Sequence, residues 1–163
     1  VQGIRIEFKL LTFHPRVNYY RAMYENPPSI IMDEVPDTDD DMAYLLGSAD
    51  LLFLPVDFTK KSINRMRYSI FAKIPAYMAT ATPILYFGPS EIAAGEYAIK
   101  DKWAYVVDKN DGDSLKRGLI ELMSDPDLRG EIGANANRVA QRDFEASNVR
   151  ESFHKALSKA AGL

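Results

Sequence analysis

The chain has 163 residues, 47% of them hydrophobic and 26% charged, as expected for one globular domain of ordinary size with room for a real core. Its net charge of -3 comes with no long basic run, so it carries no electrostatic footprint for nucleic acid. Cysteine is absent, which excludes disulfides and thiolate metal sites, and His14 and His154 lie too far apart in sequence for metal-ligand spacing.

Ile4-Arg5-Ile6-Glu7-Phe8-Lys9-Leu10 alternates apolar and charged residues at period two, the pattern of a strand with one buried face. An aromatic-rich stretch follows, with a short helix expected over about residues 17–24, and Asn26-Pro27-Pro28 breaks it. Residues 29–32 read as a second, short strand that runs into the acidic turn Asp33-Glu34-Val35-Pro36-Asp37. Thr38 is a natural N-cap before Asp39, Asp40 and Asp41, and Met42, Leu45, Leu46 and Ala49 form the apolar stripe of the helix it starts. These acids are expected to cap the helix and not to hold a metal. Residues 50–55 are apolar from Leu51 onward and read as a strand buried on both faces, as in a parallel sheet. Residues 56–68 carry Lys60, Lys61, Arg65 and Arg67 without a clear period and read as a loop at a strand end, where open α/β sheets bind ligands.

The central stretch of the chain is residues 69–89. Pro75 suits a first helical position, where its missing N–H would be unpaired anyway, so a short helix is expected over about residues 75–81. Ile74 and Met78 would stack on one face at an i, i+4 spacing. Thr82-Pro83 ends that helix, and Ile84-Leu85-Tyr86-Phe87 is a buried strand stopped by Gly88-Pro89. The helix start faces the loop carrying Ser69 and Lys73, and free N–H groups at a positive dipole end are the physical requirement for holding a phosphate.

The rest of the chain continues the alternation. Residues 90–99 look like a helix capped by Ser90, residues 103–107 like a strand, and Asp113 like the cap of a helix with Leu115, Leu119 and Leu122 in line. Asp125-Pro126 starts another helix toward Phe144. Ser147 is placed as the cap of the last one, with Val149, Phe153 and Leu157 on one face. Strands separated mostly by helices make the fold class α/β, a Rossmann-like, open, mostly parallel sheet with helices on both faces. Residues 51–54 and 84–87 are expected to be adjacent central strands.

The segment Lys73-Ile74-Pro75-Ala76-Tyr77-Met78-Ala79-Thr80-Ala81-Thr82-Pro83-Ile84-Leu85 resembles the Lys-x-x-Glu-Tyr-Met-Ala-x-Gly-x-Pro-Ile-Leu segment of GT-B glycosyltransferases, in their C-terminal, donor-binding domain. The likeness is to the family-four-like enzymes in particular, and to the family-one-like ones. The resemblance extends over residues 48–58, Ser-Ala-Asp-Leu-Leu-Phe-Leu-Pro-Val-Asp-Phe, before it and residues 102–129 after it. It departs at Ala76, where the family has its ribose-binding glutamate, and at Ala81, where it commonly has glycine. The partner glutamate of Ala76, eight positions upstream, is Tyr68 here, and neither residue accepts hydrogen bonds as a carboxylate does.

By this resemblance the chain, residues 1–163, is a single nucleotide-sugar donor-binding domain, a fragment of a larger two-domain protein. The family's first strand-helix unit, which carries an arginine and a lysine for the donor diphosphate, has no match here, and the start at Val1 also suggests a fragment. The implied activity is hexosyltransferase-like transfer of a sugar from a nucleotide-diphosphate sugar to a glycan, glycolipid or similar acceptor, as in polysaccharide biosynthesis. Ser69, Ile70 and Phe71 match the family's donor loop, Lys73 its phosphate-contacting lysine, and Ala76 and Tyr77 the helix start. Val35 and Pro36 match the turn where the nucleobase packs, and Gly88 a second loop that approaches the donor. Catalytic residues are not assigned, no metal or other cofactor is expected, and the partners are the donor and an acceptor domain of the same parent protein, with no nucleic acid. No apolar run reaches the roughly 18 residues of a spanning helix and no signal peptide opens the sequence, so the expected location is cytoplasmic, with any membrane contact made through the acceptor domain. The main alternative is a non-catalytic nucleotide-sugar- or partner-binding module, because both carboxylates are gone. An epimerase is weaker, and a dinucleotide-dependent oxidoreductase is opposed by the lack of Gly-x-Gly-x-x-Gly after any strand.

Overall fold

A computed structural model describes residues 6–23 and 30–162, apart from the side chains of His14, Pro15 and Ala22. The chain divides into two compact units, one up to Leu45 and one from Leu46 onward.

In the first unit, β1 (Phe8–Thr12) and β2 (Ile30–Glu34) pair in parallel, Phe8 opposite Ile30 through Thr12 opposite Glu34. A parallel pair needs a crossover, and α1 (His14–Met23) supplies it, burying Val17 and donating from Arg21 to the Met32 carbonyl at 3.4 Å. Lys9 reaches diagonally across the ladder to Asp33 at 3.1 Å, and this contact lowers the Asp33 pKa. Three expectations are corrected. Ile6 and Glu7 precede β1 and do not belong to it, α1 begins before residue 17, and Asp33 and Glu34 extend β2 and do not form a turn. Residues 4 and 5, the break at 26–28 and Ser29 lie outside the described residues. Thr38 caps α2 (Asp39–Gly47) as expected: its hydroxyl accepts from the Asp41 N–H at 3.1 Å and donates to the Asp41 carboxylate at 2.6 Å.

The second unit is built on a parallel three-stranded sheet in the order β3 (Leu52–Pro55), β4 (Ile84–Phe87), β5 (Tyr105–Val107). The two apolar runs expected to be neighbours are paired, Leu52 opposite Ile84 through Pro55 opposite Phe87. Leu85 and Val107 join Leu122 and Ile132 in a core cluster with Phe53, Phe87 and Leu119 packed against it, so α6 (Gly112–Ser124) and α7 (Pro126–Phe144) cover one sheet face. Leu52, Leu54, Ile84 and Tyr86 alternate with these residues and are buried too, which explains why the strands read as continuously apolar. The described strands therefore form two separate parallel ladders.

Local chemistry sets the remaining helices. α3 (Lys60–Met66) lies within the stretch expected to be a loop, capped by Thr59, whose side chain accepts from the Ser62 N–H at 3.3 Å. α4 (Lys73–Ala79) begins two residues before the expected start and leaves Pro75 at its third position. The first four N–H groups of a helix have no partner within it, so proline fits there as well as at the first position. α5 (Ala93–Asp101) starts after Ser90, whose hydroxyl donates to Asp108 at 3.0 Å and does not cap the helix. Trp103 and Ala104 are buried ahead of β5 and do not form part of it. Asp111, not Asp113, caps α6, accepting from the Ser114 N–H at 2.6 Å, while Leu115, Leu119 and Leu122 face the core as expected. Asp125 caps α7 with Pro126 in its first turn, also as expected. α8 (Ala146–Ala161) follows α7 after Glu145 alone, which places Ser147 inside the helix and leaves it no cap to make. Val149, Phe153 and Leu157 share a face of α8, and all three are exposed.

Candidate functional site

The segment from Ser69 to Gly88 forms a loop, a short helix, a turn and the central strand β4. The Ser69 N–H donates to the Met66 carbonyl at 3.0 Å, and the Ile74 N–H donates to the Phe71 carbonyl at 2.9 Å. Ser69 and Phe71 are half-buried and Ile70 is exposed. With the Ile74 N–H engaged and none on Pro75, the start of α4 offers fewer backbone donors than a phosphate cradle usually has. The weight of any anion contact therefore falls on the Lys73 ammonium.

Ile74 and Met78 are fully buried, so α4 turns its opposite side outward, and Lys73, Ala76 and Tyr77 share it at i, i+3 and i, i+4 spacings. Lys73 keeps an exposed side chain, yet partial desolvation by the protein around its ammonium lowers its pKa. Burial likewise pushes the Tyr77 hydroxyl up. Ala76 is exposed, and Tyr68 is 88% exposed, so no carboxylate stands at either glutamate position.

The turn after α4 is held by hydroxyls. Thr80 donates to the Tyr77 carbonyl at 2.9 Å or to Thr82 at 3.1 Å, and buried Thr82 donates to the Leu46 carbonyl at 3.0 Å. Between them Ala81 adopts φ 57, the left-handed region that favours glycine. Its carbonyl lies against Gly133 of α7, where any Cβ would collide with it, and Asn137 of the same helix donates to the Ala79 carbonyl at 2.8 Å.

Gly88 is buried, its N–H donates to the Val107 carbonyl at 3.1 Å, and an added Cβ would lie 2.7 Å from the Val56 Cβ. Close packing accounts for this glycine. Val35 and Pro36 lie in the first unit, half-buried, with the Val35 N–H donating to the Thr12 carbonyl at 3.1 Å.

A cavity of about 260 Å³ opens at the carboxyl end of β5 against α6, lined by Tyr105, Asp108, Lys109, Arg117 and Glu121 among others. Tyr105 donates to Glu121 at 2.6 Å, and burial together with this bond pushes its pKa up to about 12. None of the residues singled out in the sequence as donor-binding lines it. The signal that marks it is the i, i+3, i+4 spacing of Ser114, Arg117 and Gly118 beside a strand end.

Among the described residues, no group of three or more His, Cys, Asp or Glu side chains is placed to hold a metal ion, and no helix is long and apolar enough to cross a membrane. No protein-family model matches the chain, and no curated protein matches it either.

Proposed function

We propose that this chain is the donor-binding half of a glycosyltransferase that transfers a sugar from a nucleotide-diphosphate sugar, with the acceptor domain elsewhere in the parent protein. The observation that carries the reading is Ala81: the position where the resembling segment has glycine has the backbone conformation that glycine favours. Sequence likeness alone does not require that agreement.

In this reading Lys73 contacts the diphosphate, where a fixed cation stabilises the negative charge that builds on the leaving group without a metal. Tyr77, on the same face, offers a hydroxyl whose pKa is raised by burial. Ser69, Ile70 and Phe71 border the phosphates. Gly88 is explained by its close packing against Val56 and is given no contact with the donor. A thermal melt with uridine or guanosine diphosphate tests the reading: at 100-fold excess over Kd, a ligand that binds only the folded state adds about 2.7 kcal/mol of stability and raises Tm. No shift with either nucleotide at millimolar concentration argues against it.

One observation favours a second reading, a non-catalytic module. Ala76 and Tyr68 leave both ribose-clamp positions without a carboxylate, so a sugar nucleotide must be held by its phosphates or base.

A further inference from the structure

The exposed side chains from Lys60 through Tyr68 are Lys60, Lys61, Asn64, Arg65, Arg67 and Tyr68, while Ser62 is buried and Ile63 and Met66 are half-buried. At about 100° per residue, Lys60, Lys61, Asn64, Arg65 and Arg67 span roughly 160° of the helix surface, a single face. None of the four cations makes a hydrogen bond or ion pair through its side chain among the described residues. The nearest acid in sequence, Asp57, is already engaged by the Thr59 N–H at 2.9 Å and hydroxyl at 2.7 Å, and the charge of Arg65 helps to lower its pKa without an ion pair between them. From residue 58 to residue 90 there is no carboxylate at all, in a chain whose net charge is -3. Tyr68, 88% exposed, and Ile70, 42% exposed, stand at the end of this cationic face.

From this we infer that α3 and the turn after it dock the protein on an anionic lipid surface. Cations clustered on one helix face, backed by protein and flanked by an exposed aromatic and an exposed aliphatic side chain, match the layering of a bilayer interface. Lys and Arg meet the headgroups, and Tyr68 and Ile70 enter the boundary zone. A bilayer engages the local face alone, so the negative charge of the rest of the chain is no obstacle within a Debye length. A single-stranded nucleic acid would need several stacking aromatics, and this face offers Tyr68 only. The inference stands on this face; it shares Tyr68 and Ile70 with the donor-binding reading, and the test below contains no nucleotide, so its outcome is read separately.

The test is co-sedimentation of the full 163-residue chain with vesicles of phosphatidylcholine alone and of phosphatidylcholine containing about one third phosphatidylglycerol. The expected result is partitioning at least about tenfold stronger on the anionic vesicles and weaker as salt rises. Replacing Lys60, Lys61, Arg65 and Arg67 together by glutamine should abolish that preference, and Tyr68→Ala should weaken it severalfold. Replacing Arg150, Lys155 and Lys159 of α8 by glutamine should leave the preference in place. Equal partitioning on both vesicles, or the same loss in the α3 and α8 variants, overturns the proposal. Tighter binding to a single-stranded oligonucleotide, lost in the α3 variant, overturns it in favour of nucleic acid.

Discussion

Ala81 holds φ 57, a conformation that costs an L-residue roughly 1–2 kcal/mol, and its side chain is exposed, so its methyl group gains little from packing. Ala81→Gly should therefore stabilise the chain by about 1 kcal/mol even after glycine's larger unfolded entropy is counted, seen as a higher urea midpoint. A lower midpoint would mean that the methyl group makes a contact which outweighs the strain. Ala76 is the second informative alanine. It sits in the first turn of α4, where a carboxylate gains from the helix dipole, so Ala76→Glu should fold normally. If the ribose lies in the family's position, the variant should also bind uridine or guanosine diphosphate more tightly by on the order of 1 kcal/mol. Unchanged binding in a folded Ala76→Glu protein would favour the non-catalytic reading. The sequence made Ala81 legible only as a departure from a resembling segment; the backbone angle gives that departure a physical meaning.

At the scale of elements, α7 approaches the α4–β4 turn so closely that Gly133 has no room for a Cβ against the Ala81 carbonyl. Gly133→Ala should cost on the order of 2–3 kcal/mol, because backbone must move in a packed region, and the drop in Tm measures it. An unchanged Tm would mean that the turn yields freely. The same contact shows why some elements were legible and others were not. Asp125-Pro126 specifies a helix start by local chemistry, and that start appears where expected. α3 was not legible because only Ser62, Ile63 and Met66 face inward, too few for a period, although Thr59, which caps it, is a cap residue by type. Asp111 and Asp113 are equivalent as cap residues by type, and only the backbone, extended at Asp111, decides between them. Ser90 and Ser147 misled for a related reason: a hydroxyl takes whichever partner the fold presents, Asp108 in one case, and in the other the helix has already begun.

For the whole molecule, the alternation of apolar runs with helices carried the α/β class and the pairing of β3 with β4, since buried parallel strands read as continuous hydrophobic runs. The division into two ladders was not legible, because β1 and β2 are half-polar and lack the continuous apolar run that marks β3 and β4 as neighbours. The candidate site was legible as a segment and not as a geometry: the sequence placed Lys73 near a helix start and Pro75 without an N–H, but it could not say that the Ile74 N–H is taken by the Phe71 carbonyl. The donor-binding proposal therefore assigns its phosphate contact to Lys73. Calorimetric titration of the wild-type chain and Lys73→Ala with uridine, guanosine and their diphosphates tests it most directly. The account predicts that the diphosphates bind the wild type, and that Lys73→Ala weakens them by roughly tenfold or more while changing nucleoside binding little. Equal loss for nucleoside and diphosphate, or diphosphate binding that survives the substitution intact, would contradict it.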